Sequence, residues 1–189
     1  MRHILALAAA IVVAAGGCAA TPASTAATQP MVPAAYDGTN FKRQLYVVTD
    51  MERALRLWTG PLGMTATGIT NSQPTSYSYD VFNIPREARL RFATLSAGPF
   101  QERTFALLEV TGVPVPRQTG IRPTGAVINA NGKLDAIIAW ATAEGLTVIP
   151  ARELRSATQG VGIEQAFLDW DGNVIVLYQF PIPAPVNRN

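Results

Sequence analysis

The residues that most often carry enzyme chemistry are scarce in this chain. It holds one His and one Cys in 189 residues. His3 lies in an N-terminal stretch that reads as removable, so the mature chain would have no imidazole for acid–base work or metal binding. Without a His or a free Cys the common nucleophile triads cannot be assembled. There is no Gly-x-Ser-x-Gly elbow and no phosphate-binding P-loop. Asp169 and Asp171 bracket a tight turn, and turn geometry explains them. Glu102 and Arg103 read as solvated charges.

The single Cys has a chemistry of its own. Arg2 and His3 form a short positive region, Ile4 to Ala15 is apolar and Ala-rich, and small residues precede Cys18. The apolar stretch is too short for a transmembrane helix, which needs roughly 20 residues. It looks like a bacterial lipoprotein signal ending at Cys18, although Ala15 stands where such signals more often have Leu. An ordinary secretory signal with an incidental Cys is the other reading. A lipid on Cys18 would hold the protein on a membrane without spanning it. Ala19 resembles the sorting pattern of outer-membrane lipoproteins facing the periplasm.

The elements that must position any site lie downstream. Ala19 to about Gly38 is Ala, Thr, Pro, Ser and Gln with almost no charge, which reads as a flexible tether. Pro181-Ile182-Pro183-Ala184-Pro185 cannot continue a strand ladder. The expected divisions are a signal peptide (1–17), lipidated Cys and tether (18–38), a first module (39–113), a linker (114–123), a second module (124–180) and a Pro-rich tail (181–189). At 48% hydrophobic and 15% charged residues, the chain can bury a core. A net charge of +2 is too small to argue for nucleic acid.

In the first module, Gln44 to Val48 predicts a strand. Thr49 or Asp50 predicts an N-cap, followed by a helix with Met51, Ala54, Leu55, Trp58 and Leu62 near helical spacing. Strands are expected over Thr65–Thr70, Ser76–Phe82, Leu90–Leu95 and Thr104–Val110. In the second, Ala126–Asn129 predicts a strand, and Leu134, Ile137, Ile138 and Ala141 form a helical stripe. Leu146–Ile149 and a hairpin over Ile163–Tyr178 follow, turned at Asp171-Gly172. Ala54, Leu55, Trp58 and Gly63 match Ala136, Ile137, Trp140 and Gly145 at a constant offset of 82 (140 − 58). That spacing predicts duplication. Trp58 and Trp140 would then be matched core residues, with a ligand platform as the other reading.

Tyr46-Val47-Val48-Thr49-Asp50-Met51-Glu52-Arg53-Ala54, Leu62-Gly63-Met64 and Asp169-Trp170-Asp171-Gly172-Asn173-Val174-Ile175-Val176-Leu177-Tyr178 together resemble the vicinal-oxygen-chelate superfamily, the glyoxalase and bleomycin-resistance fold. The resemblance covers about Phe41 to Gln179. It implies an α+β fold, with two βαβββ modules forming curved mixed sheets around a cleft. It also implies a metal site with one ligand from each of four strands. By position those places fall at Arg43, Glu109, Thr124 and Val176. Arg has no lone pair and Val no donor atom, so only Glu109 suits a cation, where catalytic sites need three ligands. No metal centre or other cofactor is therefore expected.

Arg43 and Glu109 could instead form an ion pair or hold an anionic ligand, if both face the cleft. Arg43 reads equally as a solvated residue before the strand, and Glu109 as a strand-end charge. Tyr178 alternates with Val176 and would line a pocket or join the core. The expectation is an envelope lipoprotein with a glyoxalase-like domain. Its partners would be a small molecule held near Arg43, Glu109, Thr124 and Tyr178, and a lipid membrane met through Cys18. It would act as a monomer or homodimer. The alternative is an active metal-dependent lyase, isomerase or dioxygenase with an atypical site, and only that alternative needs a divalent metal.

Overall fold

The computed structural model describes residues 41–181. The expected signal peptide, Cys18, the expected tether and the residues beyond Pro181 lie outside the described residues. Within the described residues, eleven elements run in the order β1 (Gln44–Val48), α1 (Met51–Thr59), β2 (Thr65–Asn71), α2 (Ser78–Val81), β3 (Arg89–Ser96), β4 (Phe105–Thr111), β5 (Gly125–Asn129), α3 (Leu134–Ala143), β6 (Thr147–Ser156), β7 (Gly160–Leu168) and β8 (Val174–Gln179). They build two four-stranded mixed sheets of the same order, β1-β4-β3-β2 and β5-β8-β7-β6. In each, the first strand runs parallel to the last and the other neighbours are antiparallel. The fold is α+β, a βαβββ unit used twice.

Local chemistry sets the helix ends. The Asp50 carboxylate accepts from the Arg53 amide at 2.9 Å and caps α1. Gly63 and Gly145 follow the two helices at φ +65° and +71°, a conformation that costs other residues strain. Space around them is open, so the backbone angle alone calls for Gly.

Two expected elements differ. Ser76–Phe82 forms one helical turn, α2, not a strand. Its alternating polar and apolar residues suit a strand, yet only Tyr79 is buried, donating its hydroxyl to the Ala88 carbonyl at 2.9 Å. β6 runs well past Ile149 to Ser156. Pro150 has no N–H for the ladder, and the pairing with β7 shifts register between Ile149 and Arg152. The bulge absorbs the Pro and the strand continues.

One apolar core serves both modules. Met51, Leu57 and Trp58 from α1 and Ile137 and Ala141 from α3 pack with Tyr46, Phe105, Leu107, Phe167, Ile175 and Leu177. Trp58 stacks on Phe105 with ring centroids 3.9 Å apart, and Tyr46 meets Phe105 edge-on at 5.0 Å. Trp140, the matched residue of α3, is only partly buried against this core. A second cluster lies on the opposite face of the first sheet, where Leu45, Val47, Leu90, Phe92, Leu108 and Val110 meet Tyr79.

The Asp169-to-Asn173 turn docks the second module onto the first. Tyr46 donates its hydroxyl to the Val174 carbonyl at 2.6 Å, and Asn173 Nδ2 donates to the Val47 carbonyl at 3.1 Å. Thr49 donates to Asp171 at 2.6 Å. Arg53 and Arg56 lie over the Trp170 ring, and Arg56 makes a two-bond contact with Glu144.

Candidate functional site

Side-chain alternation decides which residues face the same space. On β1, Tyr46 and Val48 enter the shared core, while Leu45 and Val47 join the cluster on the other face. Arg43 sits just ahead of this strand, with its guanidinium over the Phe92 ring at 5.6 Å. Phe92 belongs to the second cluster. On β4, Phe105 and Leu107 enter the shared core and Leu108 and Val110 the second cluster. Glu109 has the parity of Phe105 and Leu107. It is 4% exposed, and its carboxylate accepts from the Met51 amide at 2.8 Å, at the start of α1.

Arg43 and Glu109 therefore occupy opposite faces of the first sheet and do not meet. Strand parity separates Glu109 from the other expected positions. On β8, Ile175 and Leu177 enter the shared core, so Val176 faces away from it, whereas Glu109 faces it with Phe105 and Leu107. A one-residue step in a strand turns a side chain to the other face.

Glu109 has a different partner. Arg91 of β3 lies opposite it in the register and holds it through two nitrogens, one at 2.7 Å. The same guanidinium makes two 2.8 Å bonds to Glu52 in the first turn of α1. Hydrogen bonding from Arg91 lowers the Glu52 carboxyl below its usual value. Hydrogen bonds to Glu109 and then to Glu52 raise the Arg91 guanidinium further above its already high one. The cluster ties α1 to the sheet and places carboxylates at a helix N-terminus, where the dipole favours them. A depression of about 720 Å³ runs past Arg86, Arg91 and Glu109, but Arg86 is paired with Asp80 and Arg91 with its two carboxylates.

Elsewhere, burial raises the carboxyl of Asp169, against hydrogen bonds from Asn173 that favour its charged form. Burial also pushes the Tyr46 hydroxyl well above its usual value, which keeps it a donor to Val174.

The open space lies between the modules, around β5. A cavity of about 610 Å³ is walled by Gln44, Trp58 and Phe105 from the first module and by Ala126, Asn129 and Tyr178 from the second. Its size falls in the range of small-molecule sites, roughly 300–1,000 Å³. Tyr178, half-buried on the same side of β8 as Val176, lines it. Thr124 is exposed beside it and accepts from Gln44 Nε2 at 3.0 Å. The structure thus places Tyr178 in the cavity wall, Thr124 outside it as a hydrogen-bond partner of Gln44, and Arg43 and Glu109 elsewhere.

Sequence reasoning missed Arg91, Gln44 and Lys133. Arg91 was detectable: a charge between Leu90 and Phe92 with the parity of core residues Ala93 and Leu95 calls for a buried partner. Gln44 and Lys133 carry no such signal, because only the packing of the modules brings them to one cavity.

The family's metal set does not fit these residues. Of the four expected positions, Arg43 and Val176 offer no donor to a cation, and the one carboxylate, Glu109, faces the shared core and is held by Arg91 and the Met51 amide. Among the described residues, no three of His, Cys, Asp or Glu converge closely enough to hold an ion.

Two βαβββ modules sharing one core define the vicinal-oxygen-chelate fold, and this chain has that fold. A glyoxalase-family protein from Bacillus cereus has a similar structure, with TM-score 0.57 at 13% identity, over 77% of this chain and 99% of that one. A glyoxalase/bleomycin-resistance/dioxygenase domain from Frankia gives TM-score 0.50 at 16% identity, over 76% and 98%. The trypanothione-dependent glyoxalase I of Leishmania major gives 0.50 at 17%, over 75% and 87%. No family model and no curated protein matches the sequence.

Proposed function

We propose that this chain is a lipid-anchored envelope protein. Its vicinal-oxygen-chelate domain would bind a small molecule in the cavity between the modules, without the family's metal centre. The observation that carries the reading is the donor set. Two of the strand positions that would ligate a cation hold a guanidinium and an aliphatic side chain, the one carboxylate expected there is taken up by Arg91, and a cavity of about 610 Å³ lies between the modules. A guanidinium near the position of an ion repels it.

Calorimetric titration of the purified domain with zinc, nickel, manganese and ferrous iron is expected to show no stoichiometric binding. One equivalent of metal that survives dialysis would overturn this and favour an atypical metalloenzyme. The anchor rests on Cys18 and the apolar stretch before it. Cys18→Ser is expected to move the mature protein out of the membrane fraction. An unmodified N-terminus beyond Cys18 in the wild type, read by mass spectrometry, would remove the anchor.

A further inference from the structure

We propose that the cavity between the modules selects a small organic anion with an apolar body. Lys133 would supply its counter-charge, and Trp58 Nε1 would donate to one of its oxygens. This rests on the binding reading above and adds the class of ligand.

Trp58 is completely buried and forms part of the cavity wall, yet its indole N–H has no hydrogen-bond partner among the described residues. Buried polar groups are nearly always paired, because leaving one unpaired forfeits its hydration without replacement. An indole N–H can only donate, so its missing partner is an acceptor atom. The N–H is closed to water in this conformation, so a ligand oxygen would reach it only after a movement of the cavity wall. Met64, which also lines the cavity, is unbranched and has the rotamer freedom for such a movement.

The charge of the wall points to the sign of the ligand. Among the described residues, Lys133 is the one charged residue that lines the cavity, and it forms no ion pair there. It immediately precedes α3, a ten-residue helix whose N-terminal dipole adds to the same positive end. No carboxylate of the described residues lines the wall to offset it. The remaining surface sets the body: the partly exposed Leu62, Met64 and Ile128 provide an apolar bed, backed by the buried, stacked Trp58 and Phe105 rings. An anion lacking such a body would leave that bed uncovered.

The test uses matched probes on the mature protein, followed by amide and indole NMR. Benzoate, phenylacetate and phenyl phosphate are the anions; benzamide is the neutral control and benzylamine the cation. At least one anion is expected to bind about tenfold more tightly than benzamide, with benzylamine weakest, as one charge-assisted contact implies. It should also shift the indole N–H resonance of Trp58, assigned by its loss in Trp58→Phe. Lys133→Met, at an exposed position with no side-chain hydrogen bond, should lower anion affinity about tenfold and abolish the preference over benzamide. Binding with equal affinity for all charges, an unmoved Trp58 resonance, or an unchanged affinity in Lys133→Met would overturn the anion assignment and leave the binding reading standing. Absence of binding by every probe would sink both.

Discussion

Arg91→Met is expected to destabilise the domain by about 3 kcal/mol, more than Glu109→Gln, which should cost about 1 kcal/mol. The asymmetry follows from burial. Arg91 has a side chain 32% exposed and keeps two bonds to Glu52 when Glu109 is neutralised. In Glu109→Gln, the new carboxamide oxygen can still accept from the Met51 amide. Removing Arg91 leaves the Glu109 carboxylate, at 6% side-chain exposure, with that one amide as its remaining partner. A buried charge without its counter-ion costs more than a lost hydrogen bond. The double variant should cost less than the two single costs combined, because the residues share one interaction. Urea denaturation of the four proteins measures this. A larger cost for Glu109→Gln would show that the carboxylate is held by something other than Arg91. A gain in stability would mark Glu109 as a strained residue kept for function.

Trp58→Ala should cost about 3–5 kcal/mol, and Trp140→Ala about half as much. The two occupy matched positions in the two helices, offset by 82. Trp58 is fully buried between Tyr46 and Phe105, so truncation opens a cavity that rigid aromatic neighbours cannot fill. Trp140 meets Trp170 edge-on at 6.1 Å, and Trp170 in turn carries Arg53 and Arg56. Part of Trp140 remains in contact with water, and that part contributes nothing when it is removed. Thermal or urea unfolding decides. Equal costs would mean that Trp140 is as deeply seated as its counterpart.

Much of the fold is legible in the chain itself, wherever the determinant is local. Asp171-Gly172 specifies a tight hairpin turn, and Gly172 has φ +86°. Asp50 caps α1 because its short carboxylate reaches the amide three residues on. The repeat from Trp58 to Trp140 announces two like modules, and the strand orders of the two sheets are the same. Pro150 and the run Ser76–Phe82 mislead in opposite directions. A bulge lets β6 pass the Pro, and burial of Tyr79 draws an alternating segment into a helical turn. Neither outcome is encoded within the segment, since each depends on what lies across from it.

The candidate site shows the same division more sharply. That Arg43 and Val176 cannot ligate a metal follows from their side chains alone. The direction in which Glu109 points does not. β4 is buried on both faces, so Phe105-Ala106-Leu107-Leu108-Glu109-Val110 reads as a run with no alternation to mark its phase. In such a strand the parity comes only from pairing, here Val47 with Leu108 and Arg91 with Glu109. The cavity is equally illegible. Gln44, Trp58, Lys133 and Tyr178 are separated by up to 134 positions (178 − 44), and only the docking of one module on the other gives them a common space.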